Sequence, residues 1–308
     1  MPPPALSIVL NGRSGKRGRG GVRAELERAL RERGATYEIV EPRRRRDIAA
    51  VAAQAAARAA ACGGTVVAAG GDGTLNAVAH AAYQAGCRFG AIPLGTFNYF
   101  AREHGLPLEP AAAAAALRDG VEAGVQVGLV NERLFLVNAS VGLYPQLLED
   151  REAFKAQYGR TRWVALLAAA WTLGTRSQPR IAVRIATGAE SRPVRVSTLF
   201  VGNNPLQLER LGLREAQAVE AGRLAAIRVR PGTLWGLVKV LLHGAVGRLG
   251  EADGVEAFSF REMEVAPLKP ARRPVVLNVA TDGERTRMAL PLVFRVAPRP
   301  LRLVRPAP

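Results

Sequence analysis

The sequence predicts an α/β domain followed by an all-β domain, and three observations carry that prediction. Strand and helix patterns alternate over roughly the first 125 residues. A glycine-rich turn joins a run of small and β-branched residues, 65–69, to an amphipathic helix. From about residue 126 the pattern changes to short strands separated by turn-rich pieces. Alternation of the first kind implies a parallel, doubly wound sheet, and the later pattern implies an antiparallel sandwich. A chain of 308 residues is expected to form two cores, at 1–125 and 126–308. The last strand, near 299–308, is left free to return to the first domain.

Each element has its own signal. Residues 7–11 read as a short buried strand that runs into Asn11-Gly-Arg-Ser-Gly-Lys16, a turn rich in glycine and donors. Val22, Leu26, Ala29, Leu30 and Arg33 recur at helical spacing, and Gly34 stops that helix. Residues 36–40 form the next strand; Asp47 then caps a helix bearing Ile48, Val51 and Ala55, which Gly63-Gly64 ends. After the strand at 65–69, Gly70, Gly71 and Gly73 permit a turn with positive φ. A helix from about Thr74 carries Leu75, Val78, Ala79 and Ala82 to Gly86. A strand at 88–94 ends in Pro93-Leu-Gly-Thr-Phe-Asn98, and Glu109-Pro110 opens a helix that closes near Gly120.

In the β region, strands are expected at 125–130, 133–140, 180–186, 194–202, 224–230, 258–265, 275–280 and 292–296. The run 301–304 is a further short strand without a fixed place. Two helical insertions interrupt this region, 153–175 with Trp163 and Trp171, and 234–249 with Trp235. Both apolar runs fall short of the roughly 20 residues a membrane span needs. Their basic flanks suit interfacial helices, and core helices covering the sandwich are the other reading.

Net charge is +17, from 43 Lys and Arg against 26 Asp and Glu, and only Lys16, Lys155, Lys239 and Lys269 are lysines. Attraction to anionic lipid or phosphorylated substrate is one reading, and an Arg- and Ala-rich composition is the other. No stacking aromatics accompany Arg43-Arg-Arg-Arg46, so nucleic acid is not an expected partner. Cys62 and Cys87 form no disulfide framework or metal motif, which fits a reducing cytoplasm. Met1-Pro-Pro-Pro-Ala leads straight into a strand, so no secretory signal is expected. Oligomeric state stays open.

The turn at 70–73 carries the chemistry. It aims backbone N–H groups and the positive end of a helix at one spot, where a phosphate belongs. Asp72, inside the turn without a basic neighbour, suits a metal or a donor hydroxyl.

Gly70-Gly71-Asp72-Gly73-Thr74 resembles the signature shared by diacylglycerol kinases, sphingosine kinases, NAD kinases and phosphofructokinases, and Leu75-Asn76-Ala77-Val78 resembles its lipid-kinase branch. Three further segments agree: Asn11-Gly-Arg-Ser-Gly-Lys16, Pro93-Leu-Gly-Thr-Phe-Asn98 with Phe100-Ala-Arg102, and Asp282-Gly-Glu284. Together they resemble bacterial diacylglycerol-kinase-like lipid kinases over nearly the whole chain. That resemblance implies transfer of phosphate from ATP, with Mg²⁺, to a lipid hydroxyl at a membrane surface. Asn11, Arg13, Ser14, Gly15 and Lys16 would hold the nucleotide from one side. Gly70, Gly71, Asp72, Gly73 and Thr74 would face its phosphates, Asn76 would join them or cap or brace its own helix, and Gly95, Thr96 and Asn98 would complete the pocket. Glu284 matches the general base, Asp72 is a metal-linked or orienting carboxylate, and Asp282 is a second candidate metal ligand.

Two departures stand out. Tyr99 replaces the aspartate that in the family serves a metal–water network, and Glu220-Ala221-Gly222 stands where bacterial members often carry Asp-Asp-Gly at a structural Mg²⁺ site. Diacylglycerol is the default acceptor. A sphingoid base or another lipid alcohol, an NAD-kinase-like activity and a catalytically weak nucleotide-binding regulator are the alternatives. A cytoplasmic protein, peripheral at the inner membrane face, follows from the resemblance.

Overall fold

The computed structural model describes residues 6–11, 19–142, 181–188, 190–231, 243, 247–269 and 273–307. Gly12 to Lys16, the insertion at 153–175 and most of that at 234–249 lie outside the described residues. The chain divides into two compact units, one of Met1–Val127 with Ala297–Pro308 and one of Gly128–Val296.

The first unit is built on one sheet. β1 (Leu6–Leu10), β2 (Tyr37–Val40), β3 (Thr65–Gly70) and β4 (Arg88–Pro93) run parallel in the order β2-β1-β3-β4. β18 (Leu301–Arg305) follows, parallel to β4 and antiparallel to β5 (Val121–Val125) at the edge. Between strands lie α1 (Arg19–Glu32), α2 (Ile48–Ala61), α3 (Asp72–Ala85), α4 (Tyr99–Glu103) and α5 (Pro110–Asp119). Leu6, Ile8, Leu10, Val67 and Ile92 pack against Leu26 and Leu30 of α1 and Leu117 of α5. On the other face α2 lies against β1 and α3 against β3. Four buried alanines, Ala52, Ala55, Ala56 and Ala59, let α2 approach closely. Gly86, at φ +68, ends α3 in a left-handed cap. This is the doubly wound sheet that strand–helix alternation predicts.

One local expectation fails. Asp47 stands before α2 but does not cap it; its backbone is helical, and its Oδ2 accepts from Arg44 N at 3.1 Å. The side chain closes the 3-10 turn at 45–47 and so is turned away from the helix N–H groups.

The second unit contains two antiparallel six-stranded sheets. One has the order β10-β9-β14-β17-β6-β7, from β6 (Gly128–Val130), β7 (Arg133–Phe135), β9 (Ile181–Thr187), β10 (Glu190–Val196), β14 (Glu262–Pro267) and β17 (Leu292–Val296). The other has the order β13-β12-β11-β8-β15-β16, from β8 (Asn138–Gly142), β11 (Thr198–Gly202), β12 (Leu224–Val229), β13 (Val255–Phe260), β15 (Val276–Thr281) and β16 (Glu284–Ala289). Phe135, Ile185, Met263 and Phe294 of the first share a core with Val141, Leu199, Val201 and Val279 of the second. α6 (Pro205–Arg210) and α7 (Ala216–Glu220) add Leu208, Ala216 and Val219 to a second cluster with Phe200, Ala225 and Ile227.

Three runs that read as single strands, 133–140, 194–202 and 258–265, are each two strands in different sheets. β7 gives way to β8, β10 to β11 and β13 to β14. In two of them the inward side chains change parity at the crossing. Val194 and Val196 are followed by Leu199 and Val201, and Phe260 by Met263 and Val265. At these two corners the strand turns to present its other face and the period of two breaks, whereas Phe135, Ala139 and Val141 keep one parity across the third. No helix among the described residues is long and apolar enough to cross a membrane.

Candidate active site

β1 and β3 are neighbours, yet the chain leaves them in opposite directions along the sheet, toward β2 and toward β4. Ligands of doubly wound sheets bind outside the carboxyl ends of the strands at such a switch point. Asn11 follows β1 there and Gly70 ends β3. The Asn11 backbone N–H donates to Ala69 O at 2.8 Å, and its Nδ2 donates to Thr74 Oγ1 at 3.0 Å. Thr74 is buried, and both its N–H and that of Leu75 donate to Gly71 O, at 2.9 and 3.0 Å.

The glycines serve contact rather than left-handed backbone. None of Gly70, Gly71 and Gly73 has positive φ, contrary to the expectation from their spacing. Gly71 is extended at φ −83 and ψ 179, and α3 begins at Asp72, two residues before Thr74. What excludes a side chain at Gly70 is Thr74, whose Cβ lies 2.6 Å from the position a Gly70 Cβ would take. Gly95 is equally confined, with its Cβ position 3.1 Å from Gly71 Cα and 2.8 Å from Asn98 Oδ1. Two turns, after β3 and after β4, are therefore packed backbone against backbone, and Leu94 N–H donates to Gly70 O at 2.8 Å.

Around this seam the structure gathers Asn11, Gly70, Gly71, Asp72, Gly73, Thr74, Gly95 and Asn98. Asp72 lies in the first turn of α3, where a carboxylate is favoured by the helix dipole. Asn76 is buried one turn along the same helix, and Thr96 is exposed. Asn98 adopts φ +51, donates from Nδ2 to Gly95 O at 3.1 Å, and keeps a buried Oδ1 without a hydrogen-bond partner. Phe97 and Tyr99 stack at 5.9 Å with 10° between rings, and Phe97 is 45% exposed. Tyr99 thus opens the short helix α4, which the sequence pattern did not reveal. At the other end of α4, His104 meets Phe100 edge-on. Burial first, and then Arg305, lower the His104 pKa to about 4.

The second unit holds the remaining candidates. Asp282 and Gly283, at φ +48 and +85, form a two-residue turn of the I′ kind, and Thr281 pairs with Glu284 across it. Glu284, half-buried, is the first residue of β16. Asp282 is buried, and its Oδ2 accepts from Leu136 N–H at 2.7 Å. Its Oδ1 accepts from the N–H groups of Val137 and Asn138, both at 2.9 Å. Nearby Asn203 donates from Nδ2 to Leu136 O at 2.8 Å, and Asn204 Oδ1 caps α6 at Gln207 N–H, 2.9 Å away. Asparagine before a proline at the first helical position, as in Asn204-Pro205, is a capping signature.

Among the described residues no group of three His, Cys, Asp or Glu side chains could hold a metal ion. That donor set excludes a dedicated protein cage there, but not Mg²⁺ held by one carboxylate with substrate phosphates and water. Asp72 can supply that carboxylate.

Residues 5–130 match the model of the diacylglycerol kinase catalytic domain. A protein named "Probable lipid kinase YegS-like" from Pseudomonas aeruginosa (strain UCBPP-PA14) is 48% identical over 75 residues, 24% of this chain and 24% of that protein. The diacylglycerol kinase of Bacillus subtilis (strain 168) is 38% identical over 84 residues, 26% of this chain and 28% of that protein. The matches therefore span about a quarter of the length of these curated relatives. A crystal structure of a diacylglycerol kinase from Bacillus anthracis str. Sterne superposes with a TM-score of 0.66 over 98% of this chain and 97% of that one. At 15% identity that likeness is one of fold.

Proposed function

We propose, from the match of residues 5–130 to the model of the diacylglycerol kinase catalytic domain, that this protein is an ATP- and Mg²⁺-dependent lipid kinase. It transfers the γ-phosphate of ATP to a lipid hydroxyl, with diacylglycerol the leading acceptor. The observation that carries the reading is the backbone seam at the switch point, where Gly70 and Gly95 leave no room for side chains and Asn11 is bonded to Thr74. Such a seam suits polyphosphate, because N–H groups can approach it without obstruction.

In this reading the Gly71 to Thr74 turn holds phosphates, with Asn76, Gly95, Thr96 and Asn98 completing the pocket. Arg13, Ser14, Gly15 and Lys16, which follow Asn11 in the sequence, are the further nucleotide-binding residues of this reading. Asp72 would be the side chain to hold Mg²⁺, which would supply charge neutralisation at the phosphates. Glu284 is the general base. The lipid oxygen bonds to the γ-phosphorus, the bond to the β–γ bridging oxygen breaks, ADP leaves, and the hydroxyl proton passes to the Glu284 carboxylate. Positioning and charge compensation supply most of the barrier reduction in such transfers, so one carboxylate suffices. The acceptor places the protein at the cytoplasmic membrane surface during turnover.

Labelled ATP presented with diacylglycerol, a sphingoid base and NAD, with and without a chelator, tests the proposal. Chelator-sensitive label in the lipid extract supports it, and label in NADP replaces it with an NAD-kinase-like activity. ATP binding without turnover favours a nucleotide-binding regulator, the reading to which Tyr99 in place of the family's aspartate points. Glu284→Gln is expected to keep ATP binding while turnover falls about 10²-fold or more. Unchanged turnover removes Glu284 from the mechanism.

A further inference from the structure

We propose that Asp282 is a positioning residue, which locks the sheet-crossing segment 136–138 to the turn that presents Glu284 and is no ligand of a metal. The proposal rests on the kinase reading for the role of Glu284.

The segment 136–138 lies where the chain passes from β7 in one sheet to β8 in the other. N–H groups at such a crossing lack regular ladder partners, and buried ones must be satisfied some other way. Asp282 satisfies three in succession, at 2.7, 2.9 and 2.9 Å, across about 145 residues of sequence. Its own N–H donates back to Asn138 O at 2.9 Å, so turn and segment hold each other from both sides. A carboxylate offers about four acceptor positions. Three are committed here, in a residue only 8% exposed. Little of the oxygen coordination that a hard cation requires is left.

The opposite side of the segment is tied to α6. Asn203 N–H donates to Val137 O and Asn203 Nδ2 to Leu136 O, both at 2.8 Å. Asn138 Nδ2 donates to Gln207 Oε1 at 3.1 Å. Arg133 Nε donates to Thr281 Oγ1 at 3.0 Å, bracing the residue that pairs with Glu284. A connected polar network therefore runs from the start of α6 to the base of the hairpin, and Asp282 is its only charged acceptor among these bonds. Hydrogen bonds to an ionised acceptor are roughly twice as strong as neutral ones.

Asp282→Asn is the informative variant. Asparagine tolerates the left-handed backbone of the turn, so the hairpin itself is spared. It keeps one oxygen and turns an NH₂ toward N–H donors, so at least one of the three bonds is lost. Expected results are faster amide exchange at Leu136, Val137 and Asn138 by about tenfold, and kcat lower by about 10²-fold with KM for ATP within about twofold. In the double variant with Glu284→Gln, Asp282→Asn should add no further loss, because it acts through Glu284. Mn²⁺ binding in the presence of ATP should match that of the parent protein. Unchanged kcat, multiplicative losses in the double variant, or weakened Mn²⁺ binding would each overturn the proposal. Should Asp282→Asn fail to fold, Asn203→Ala loosens the same segment from its other side and is held to the same non-additivity. A parent protein that phosphorylates no lipid ends the kinase reading and the positioning role with it, and amide exchange separately reports whether the clamp exists.

Discussion

Asn11 donates from Nδ2 to Thr74 Oγ1 at 3.0 Å, joining the end of β1 to the first turn of α3 across 63 residues of sequence. Both strands that flank the switch point thereby share one fixed edge. Thr74→Val keeps the shape and removes the acceptor, stranding a partly buried amide group. Leaving a donor unsatisfied costs about 1–3 kcal/mol. We expect a matching loss in thermal unfolding, together with a KM for ATP raised about tenfold if the edge serves the nucleotide. Thr74→Ser retains the oxygen and should behave as the parent protein does.

Gly70→Ala and Gly95→Ala probe the seam itself. A methyl at Gly70 would sit 2.6 Å from Thr74 Cβ, and one at Gly95 2.8 Å from Asn98 Oδ1 and 3.1 Å from Gly71 Cα. Overpacking of this kind costs about 1–3 kcal/mol. The Gly95 variant should suffer more in ATP protection against unfolding than in basal stability, because it forces the two turns apart. A thermal shift with and without ATP measures both quantities, and equal protection in variant and parent would detach the seam from nucleotide binding.

Much of this was legible in the residues. Alternating apolar patterns gave the two sheet classes, and the string from Gly70 to Thr74 marked the right strand end. The physical reason for its glycines was not legible, since spacing cannot distinguish positive φ from close approach. β16 was hidden because its side chains alternate between partial burial and exposure, so Arg285 and Arg287 mask any apolar period. The crossings were hidden because each apolar run is continuous in sequence while its residues serve two sheets. Asp282 read as a candidate metal ligand; its three N–H bonds reach a segment far away in sequence, which no local pattern records.

Gly142 tests one crossing in isolation. It ends β8 at φ +101, and a Cβ there would lie 2.2 Å from Ser197 O and 3.2 Å from Thr198 Cα, where β10 passes into β11. Strained backbone and a collision with main chain act together, and main chain cannot rotate away. Gly142→Ala should therefore cost more than about 3 kcal/mol, measurable by denaturant unfolding. A loss below about 1 kcal/mol would mean that the crossing relaxes easily.

His104 makes stability depend on pH, with a direction fixed by its environment. Burial and the neighbouring Arg305 lower its pKa to about 4, so the folded protein keeps the imidazole neutral where the unfolded chain protonates it. An unfolded histidine titrates near 6.5. Between about 4 and 6.5 the unfolded state binds more protons, so stability rises with pH through that window. The contribution is complete above about 6.5 and is lost as pH falls toward about 4. Because the ring is not fully enclosed, we expect a loss on the order of 2 kcal/mol. His104→Gln should flatten the corresponding part of the stability–pH curve, which isolates this residue from His80 and His243. Arg305→Gln, which removes only the repelling charge, should shift the window upward by a smaller amount. Equal slopes in His104→Gln and the parent protein between pH 4 and 6.5 would show that another group governs acid stability.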